Sequence, residues 1–276
     1  MRASRLALIA LSASTLLSAA PAMAAMTLVQ HRAVYDLTLD SASERSGITG
    51  INGRMVYEIR GSACDGYTVR FRYVTQSDTR EASQITDQQT TTFEDADGKT
   101  FSFSTKSYTD QTLDKELRGN ATIVENGVKV EIDKPERKEV DLAPTQFPTR
   151  HLEELITKAN QGEKFYETSL FDGSEDADKA MTTTIVVGKK ASLQPDDPEF
   201  KTLDKLRDAQ FWPVDMAYFD ATNASDGEDT PDYRISFKLY ENGLTRDLLM
   251  DYGDFSIKGR LVDLSLFEPD TATCTR

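Results

Sequence analysis

The chain has 276 residues, of which 38% are hydrophobic and 28% charged, with 46 Asp and Glu against 32 Lys and Arg, a formal charge of −14. A surface that negative repels nucleic acid and anionic lipid headgroups at long range, so neither is an expected partner. Beyond the first two dozen residues no apolar stretch is long enough to cross a bilayer, and no transmembrane anchor is expected.

In chain order, the first feature is an export signal. Arg2 and Arg5 precede an apolar run over 6–20, then Pro21 and the small-x-small sequence Ala22-Met23-Ala24. This pattern predicts a signal peptide over 1–24 and a mature chain of one domain over 25–276. No cysteine follows the cut, so no lipid-modified N-terminus is expected.

Period-two alternation then recurs to the end. Gly47, Gly50 and Gly53 lead into an alternating run over 55–59, and Asp65-Gly66 turns it into the next. There Tyr67, Val69, Phe71 and Tyr73 share one face, and Thr68, Arg70 and Arg72 share the other. Asp97-Gly98 precedes Phe101 and Phe103, and Asn126-Gly127 and Asn242-Gly243 lie between further runs. Such dipeptides tolerate the positive φ of tight hairpins, and alternation with one wet face is the mark of antiparallel sheets.

One segment breaks the rhythm. Leu152, Leu155, Ile156 and Ala159 fall at helical spacing, with Thr149 as the expected cap and Gly162 as the stop. A second helical piece is expected over 200–206. Tyr233, Ile235, Phe237 and Leu239 resume the alternation, and after Phe255 and Ile257 its phase slips at Gly259, where a bulge or a sharp bend is expected. The predicted fold is all-β: about a dozen antiparallel strands in a long sheet curled into a spiral or open barrel, with one main helix near 150–161.

Candidate chemistry is sparse. Cys64 and Cys274 are the two cysteines, far from Cys-x-x-Cys spacing. In an exported chain they are expected to form a structural disulfide. His31 and His151, the two histidines, have neither a nucleophile motif nor a ligand cluster beside them and read as structural. The acidic segment 172–178 lacks the glycine and final glutamate of an EF-hand loop and reads, like 225–229, as a solvated loop. Carboxylates are abundant, and a hydrolase acting on cell-wall or glycan material through a carboxylate pair stays open as an alternative. The densest aromatic cluster holds Phe211, Trp212, Tyr218 and Phe219. It reads as core packing or as the wall of a cavity that accepts a lipid or peptide.

Several segments carry a resemblance that covers nearly the whole mature chain in order. They include His31-Arg-Ala-Val-Tyr-Asp-Leu37, Gly61-Ser-Ala-Cys-Asp-Gly-Tyr67, Phe147-Pro-Thr-Arg-His-Leu152, Trp212-Pro213 and Asp251-Tyr-Gly-Asp-Phe255. With the run from Pro231 to Gly243 they resemble the EipB-type envelope-integrity proteins of alphaproteobacteria. The resemblance implies a periplasmic protein built as a spiral sheet, with a disulfide that maps onto Cys64 and Cys274. It implies a non-enzymatic role in envelope integrity and envelope-stress resistance, with no catalytic residues and no cofactor. It also implies an apolar ligand, lipid or lipopeptide, or an envelope protein partner such as a tetratricopeptide-repeat protein. A scaffold with a filled core that acts through its surface is the rival reading.

Overall fold

The computed structural model describes residues 27–174, 176–220 and 230–268. The signal-peptide segment 1–24, the acidic run 225–229 and Cys274 lie outside the described residues. The first half is an antiparallel meander of β1 (His31–Ala42), β2 (Ile48–Ser62), β3 (Gly66–Thr79), β4 (Ser83–Glu94), β5 (Thr100–Thr109), β6 (Thr112–Val124), β7 (Gly127–Lys134) and β8 (Lys138–Leu142). Then come α1 (Pro148–Gln161), β9 (Phe165–Leu170), β10 (Met181–Val187) and the short β11 (Ala191–Ser192). The chain finishes with β12 (Gln210–Asp220), β13 (Tyr233–Tyr240), β14 (Thr245–Asp251) and β15 (Phe255–Leu266).

These strands form one fifteen-stranded sheet in which β1 pairs with β2 on one side and β15 on the other. The order runs from β8 down to β1, then β15 to β12, β10 and β9, so β8 and β9 stand at its two ends. The sheet is not closed, but it curls until those ends approach. A parallel bridge joins Gln146 to Leu170, and the amide of Phe171 donates to the Gln146 carbonyl at 2.9 Å. Lys115 on β6 pairs with Asp176 at 2.7 Å, and Lys138 on β8 with Asp178 at 3.1 Å.

The apolar interior divides in two. The larger cluster gathers Tyr35, Leu37, Ile59, Tyr67, Trp212, Leu239 and Leu261 around Leu155 and Ile156 of α1. The smaller gathers Phe101, Phe103, Leu117, Val130, Phe147 and Phe171. The inner face of β4 separates them. Cross-strand register places Thr92 beside Val69 and Phe103, Thr90 beside Phe71 and Thr105, and Gln88 beside Tyr73 and Ser107. A row of hydroxyls and amides cannot join an apolar core without losing hydration, so β4 splits it.

Helix α1 fills the larger half. His151, Leu155, Ile156 and Ala159 are buried, and Leu155 and Ile156 alone contribute roughly 1.5–3 kcal/mol each. Gly162 ends it in the left-handed region, its amide donating to Ala159, as expected. The start differs from expectation. Phe147 occupies the cap position without a side-chain bond, Pro148 opens the helix, and Thr149 lies inside it. The capping oxygens come from Glu94 on β4, which accepts from the amides of Thr149 at 2.7 Å and Arg150 at 3.0 Å. A carboxylate there meets the orphan amides and the positive end of the helix dipole together.

Three further expectations are corrected. The helical piece over 200–206 is a run of turns with one 3-10 turn, Asp204–Leu206, because it packs Leu203 and Leu206 inward from an irregular cover. The phase slip in β15 falls at Val262: Val34 pairs with Asp263 but Tyr35 with Leu261. Gly259 stays in register, and a Cβ there would stand 3.2 Å from Leu248 and 3.3 Å from Leu37. The loop 171–180 is not simply solvated either, since Phe171 and Ala177 are buried in the smaller cluster and Gly173 is buried against Phe103. Phe103 lies between two glycines: a Cβ on Gly119 would come within 2.6 Å of its ring, and one on Gly173 within 2.7 Å.

Candidate functional site

The concave face of β3 to β6 is open where β4 turns polar, and side chains from eight segments ring the opening. Tyr73, Gln88, Ser107 and Lys115 follow one another across β3, β4, β5 and β6 in register. Lys115 borders Gly173 and Ser174 of the β9–β10 loop, around a cleft of about 210 Å³ whose lining also includes Gln88, Thr105 and Leu117. Asp172 of that loop acts electrostatically on Tyr218 of β12. Tyr218 meets Tyr233 of β13 with ring centroids 5.5 Å apart, and Tyr233 meets Tyr252 of the β14–β15 turn at 5.0 Å. Tyr252 also interacts electrostatically with Tyr73, which returns the circuit to β3. Curling brings Tyr73 and Tyr252 together, since two strands, β2 and β1, separate β3 from β15, just before which Tyr252 lies.

Burial raises the phenol pKa values of Tyr73, Tyr218, Tyr233 and Tyr252, so all four are neutral donors and acceptors at physiological pH. None of them is fully buried, and Tyr252 is 40% exposed. One level deeper, Phe71, Thr90, Thr105 and Leu117 form the next cross-strand row, with the Thr90 and Thr105 hydroxyls 3.0 Å apart. The ring's cation, Lys115, is committed to Asp176. The arrangement offers hydroxyl and carboxamide groups and aromatic faces, with little net charge.

The aromatic cluster read from the sequence is not one wall. Along β12 successive side chains alternate in direction, so Trp212 and Tyr218 share a face while Phe211 and Phe219 share the other. Tyr218 belongs to the ring. Trp212 is 3% exposed within the larger core, with Lys190 Nζ 4.4 Å from its ring. Phe211 packs edge-on to Tyr240 at 5.7 Å under the Arg246 guanidinium, which lies 4.7 Å from its ring. Phe219 pairs across the sheet with Thr182 and is half-buried.

Both histidines are buried. His31 Nδ1 lies 2.8 Å from the Val29 carbonyl, and His151 Nε2 lies 3.2 Å from Thr183 Oγ1. Burial lowers both ring pKa values, that of His151 to about 4. Cys64 sits half-buried in the turn between β2 and β3. Among the described residues there is no free cysteine, and no group of three or more His, Cys, Asp or Glu that could hold a metal ion. No described helix is long and apolar enough to cross a membrane.

Fold and site together define a class: a one-sheet antiparallel β-spiral, filled by the one α-helix of the described residues, with a mouth ringed mostly by neutral hydrogen-bonding side chains. Residues 22–268 match the family model described as EipB-like, and the chain belongs to that family. A curated relative, the cell envelope integrity protein EipB of Brucella abortus (strain 2308), is 57% identical over 251 residues, 91% of this chain and 88% of its own length. A crystal structure of a beta-barrel-like protein of a domain of unknown function from Brucella abortus superposes with a TM-score of 0.85 at 56% identity, covering 88% of this chain and all of the other. Neither description mentions an enzymatic activity.

Proposed function

We propose that this chain is an exported periplasmic factor that maintains the cell envelope and its resistance to stress by binding, without catalysis, at the mouth of the spiral. The family and the 57% identical envelope-integrity relative support the cellular role. The leader over 1–24 supports export. The Cys64–Cys274 disulfide belongs to the same proposal: an oxidising compartment favours it, and Cys64 is not a free thiol.

The ring from Tyr73 through Gln88, Lys115 and Tyr218 to Tyr252 carries the binding reading. It is concave and accessible, and assembled from segments distant in sequence. A bare lipid suits it poorly. The greasy interior is already filled by α1 and its neighbours. An acyl chain laid on the inner face of β4 would cover Thr90, Gln88 and their partners at about 1–3 kcal/mol for each polar group left unpaired. A lipopeptide, a polar ligand or a segment of a partner protein meets the ring better. The surface-acting scaffold draws support from the same filled core.

Native mass spectrometry on protein extracted gently from periplasm tests the reading. A co-purifying mass is expected, and it should be lost in Gln88→Leu and Tyr252→Ala variants that keep the parent melting temperature. Absence of any adduct, together with full rescue of an envelope defect by both variants, would remove the ring from the mechanism.

A further inference from the structure

We propose that the ring at the mouth is a saccharide-binding site, specific for a neutral, N-acetylated glycan. The inference rests on the binding reading above and names its ligand class.

Three properties of the ring lead there. Apart from Asp172 and the paired Lys115, its polar members are phenols, aliphatic hydroxyls and one carboxamide, each both donor and acceptor. Sugar hydroxyls have the same double character, whereas an acyl chain has neither. The aromatic surface comes as separate, partly exposed tyrosine rings around the rim, Tyr218, Tyr233 and Tyr252 touching in sequence at 5.5 and 5.0 Å. That geometry suits the small C–H face of a pyranose better than a tail that needs an unbroken apolar channel. The cleft of about 210 Å³ beside Gln88 is smaller than the roughly 300–1,000 Å³ of typical ligand pockets. It therefore holds one ring-sized group, with the rest of an oligomer running along the surface past Tyr252.

Charge and amide chemistry narrow the class. The chain carries −14 overall, and Asp172 and Asp176 stand at the site while Lys115 is already paired. An anionic polysaccharide would be repelled. Gln88 sits at the centre of the polar strip, between Tyr73 and Ser107. Its carboxamide is complementary to an acetamido group, accepting from that N–H and donating to that carbonyl.

The mature full chain titrated with tetra-N-acetylchitotetraose, by calorimetry and saturation-transfer NMR, tests this. Saturable binding is expected, at least about tenfold tighter than for cellotetraose, which lacks the acetamido groups. Gln88→Leu and Tyr252→Ala should each weaken it by about tenfold or more. Thr91→Val, on the outward face of the same strand, should leave it unchanged, and melting curves should show all three variants folded. Equal affinity for both oligosaccharides, insensitivity to the ring variants, or no saturation would overturn the inference. A diacylated lipopeptide is titrated in parallel. If it binds through the ring while the chitotetraose is silent, the saccharide claim falls and ring binding stands. Silence of both ligands, with no co-purifying mass, removes both.

Discussion

Arg246 shows how much a single side chain can hold. It is fully buried, its Nη1 donating to Glu199 at 2.8 Å and to Asp197 at 3.0 Å. Glu199 in turn accepts from the Leu261 amide at 2.6 Å, so one guanidinium fastens the irregular 193–209 cover to β14 and β15. Removing the cation leaves the buried Glu199 carboxylate without its charged partner, next to Asp197, which keeps Lys238 at 3.5 Å. Arg246→Met is therefore expected to destabilise by about 3–5 kcal/mol, measured by urea unfolding, although methionine preserves most of the packing. Adding Asp197→Asn and Glu199→Gln should recover much of that loss. Phe103 gives a second case. Gly119→Ala would drive a methyl against its ring and the Glu131 carbonyl, both 2.6 Å away, and should cost about 1–3 kcal/mol in the same assay.

At the scale of elements, α1 is held by two groups that titrate against each other. Burial raises the Glu94 carboxyl to about 7 from an ordinary 4.5, overcoming the amides of Thr149 and Arg150, which lower it. Glu94 therefore contributes stability that is fully present below about pH 4.5 and lost as pH rises through 7. His151 has the opposite sign. Burial lowers it to about 4 from 6.5, so its contribution is present above pH 6.5 and lost as pH falls through 4. Each shift is worth about 3 kcal/mol at most, and across pH 4.5–6.5 the two slopes nearly cancel. Glu94→Gln should unmask a stability that rises with pH in this window, and His151→Asn one that falls. Melting temperatures between pH 4 and 8 read both. Parallel slopes in parent and variants would show that neither group titrates as argued.

Strands and turns were legible because alternation and Asn-Gly or Asp-Gly corners are local signals, and the curl followed from strand number. The α1 stripe at Leu152, Leu155 and Ile156 was equally plain. Its cap was not, because Glu94 is more than fifty residues upstream and looks like the end of a polar strand. The ring was legible only at Tyr218. Tyr73 reads as one of four alternating apolar residues, Tyr252 as a turn residue and Gln88 as part of a polar run. No sequence rule joins β3 to the β14–β15 turn until the sheet curls. Trp212 drew attention by its size, and size is what put it in the core. The slip in β15 was placed at its glycine, where the bulge instead took Val262, because Gly259 is needed for close approach to Leu37 and Leu248.

For the whole molecule, the proposed Cys64–Cys274 link would tie the β2–β3 turn to the end of the chain. Cys64→Ser and Cys274→Ser should lower the melting temperature equally, and the double variant no further than either alone. Closing a loop of that length is worth up to about 5 kcal/mol. Additive losses would show that the two sulfurs act apart. The remaining consequence lies along the margin where β8 meets β9. Across it the Gln146 backbone bonds with Ser169 and Phe171, the Gln146 carboxamide donates to Thr168 at 2.6 Å, and Ser169 meets Thr145 at 3.0 Å, flanked by the partly exposed pairs Lys115–Asp176 and Lys138–Asp178. Exposed pairs are worth about 1 kcal/mol or less and weaken in salt. That seam is the soft clasp of the coil. Amide hydrogens of β8 and β9 should exchange before those of β1 and β2, and sooner still in strong brine, so the gape of the molecule would follow the saltiness of its surroundings.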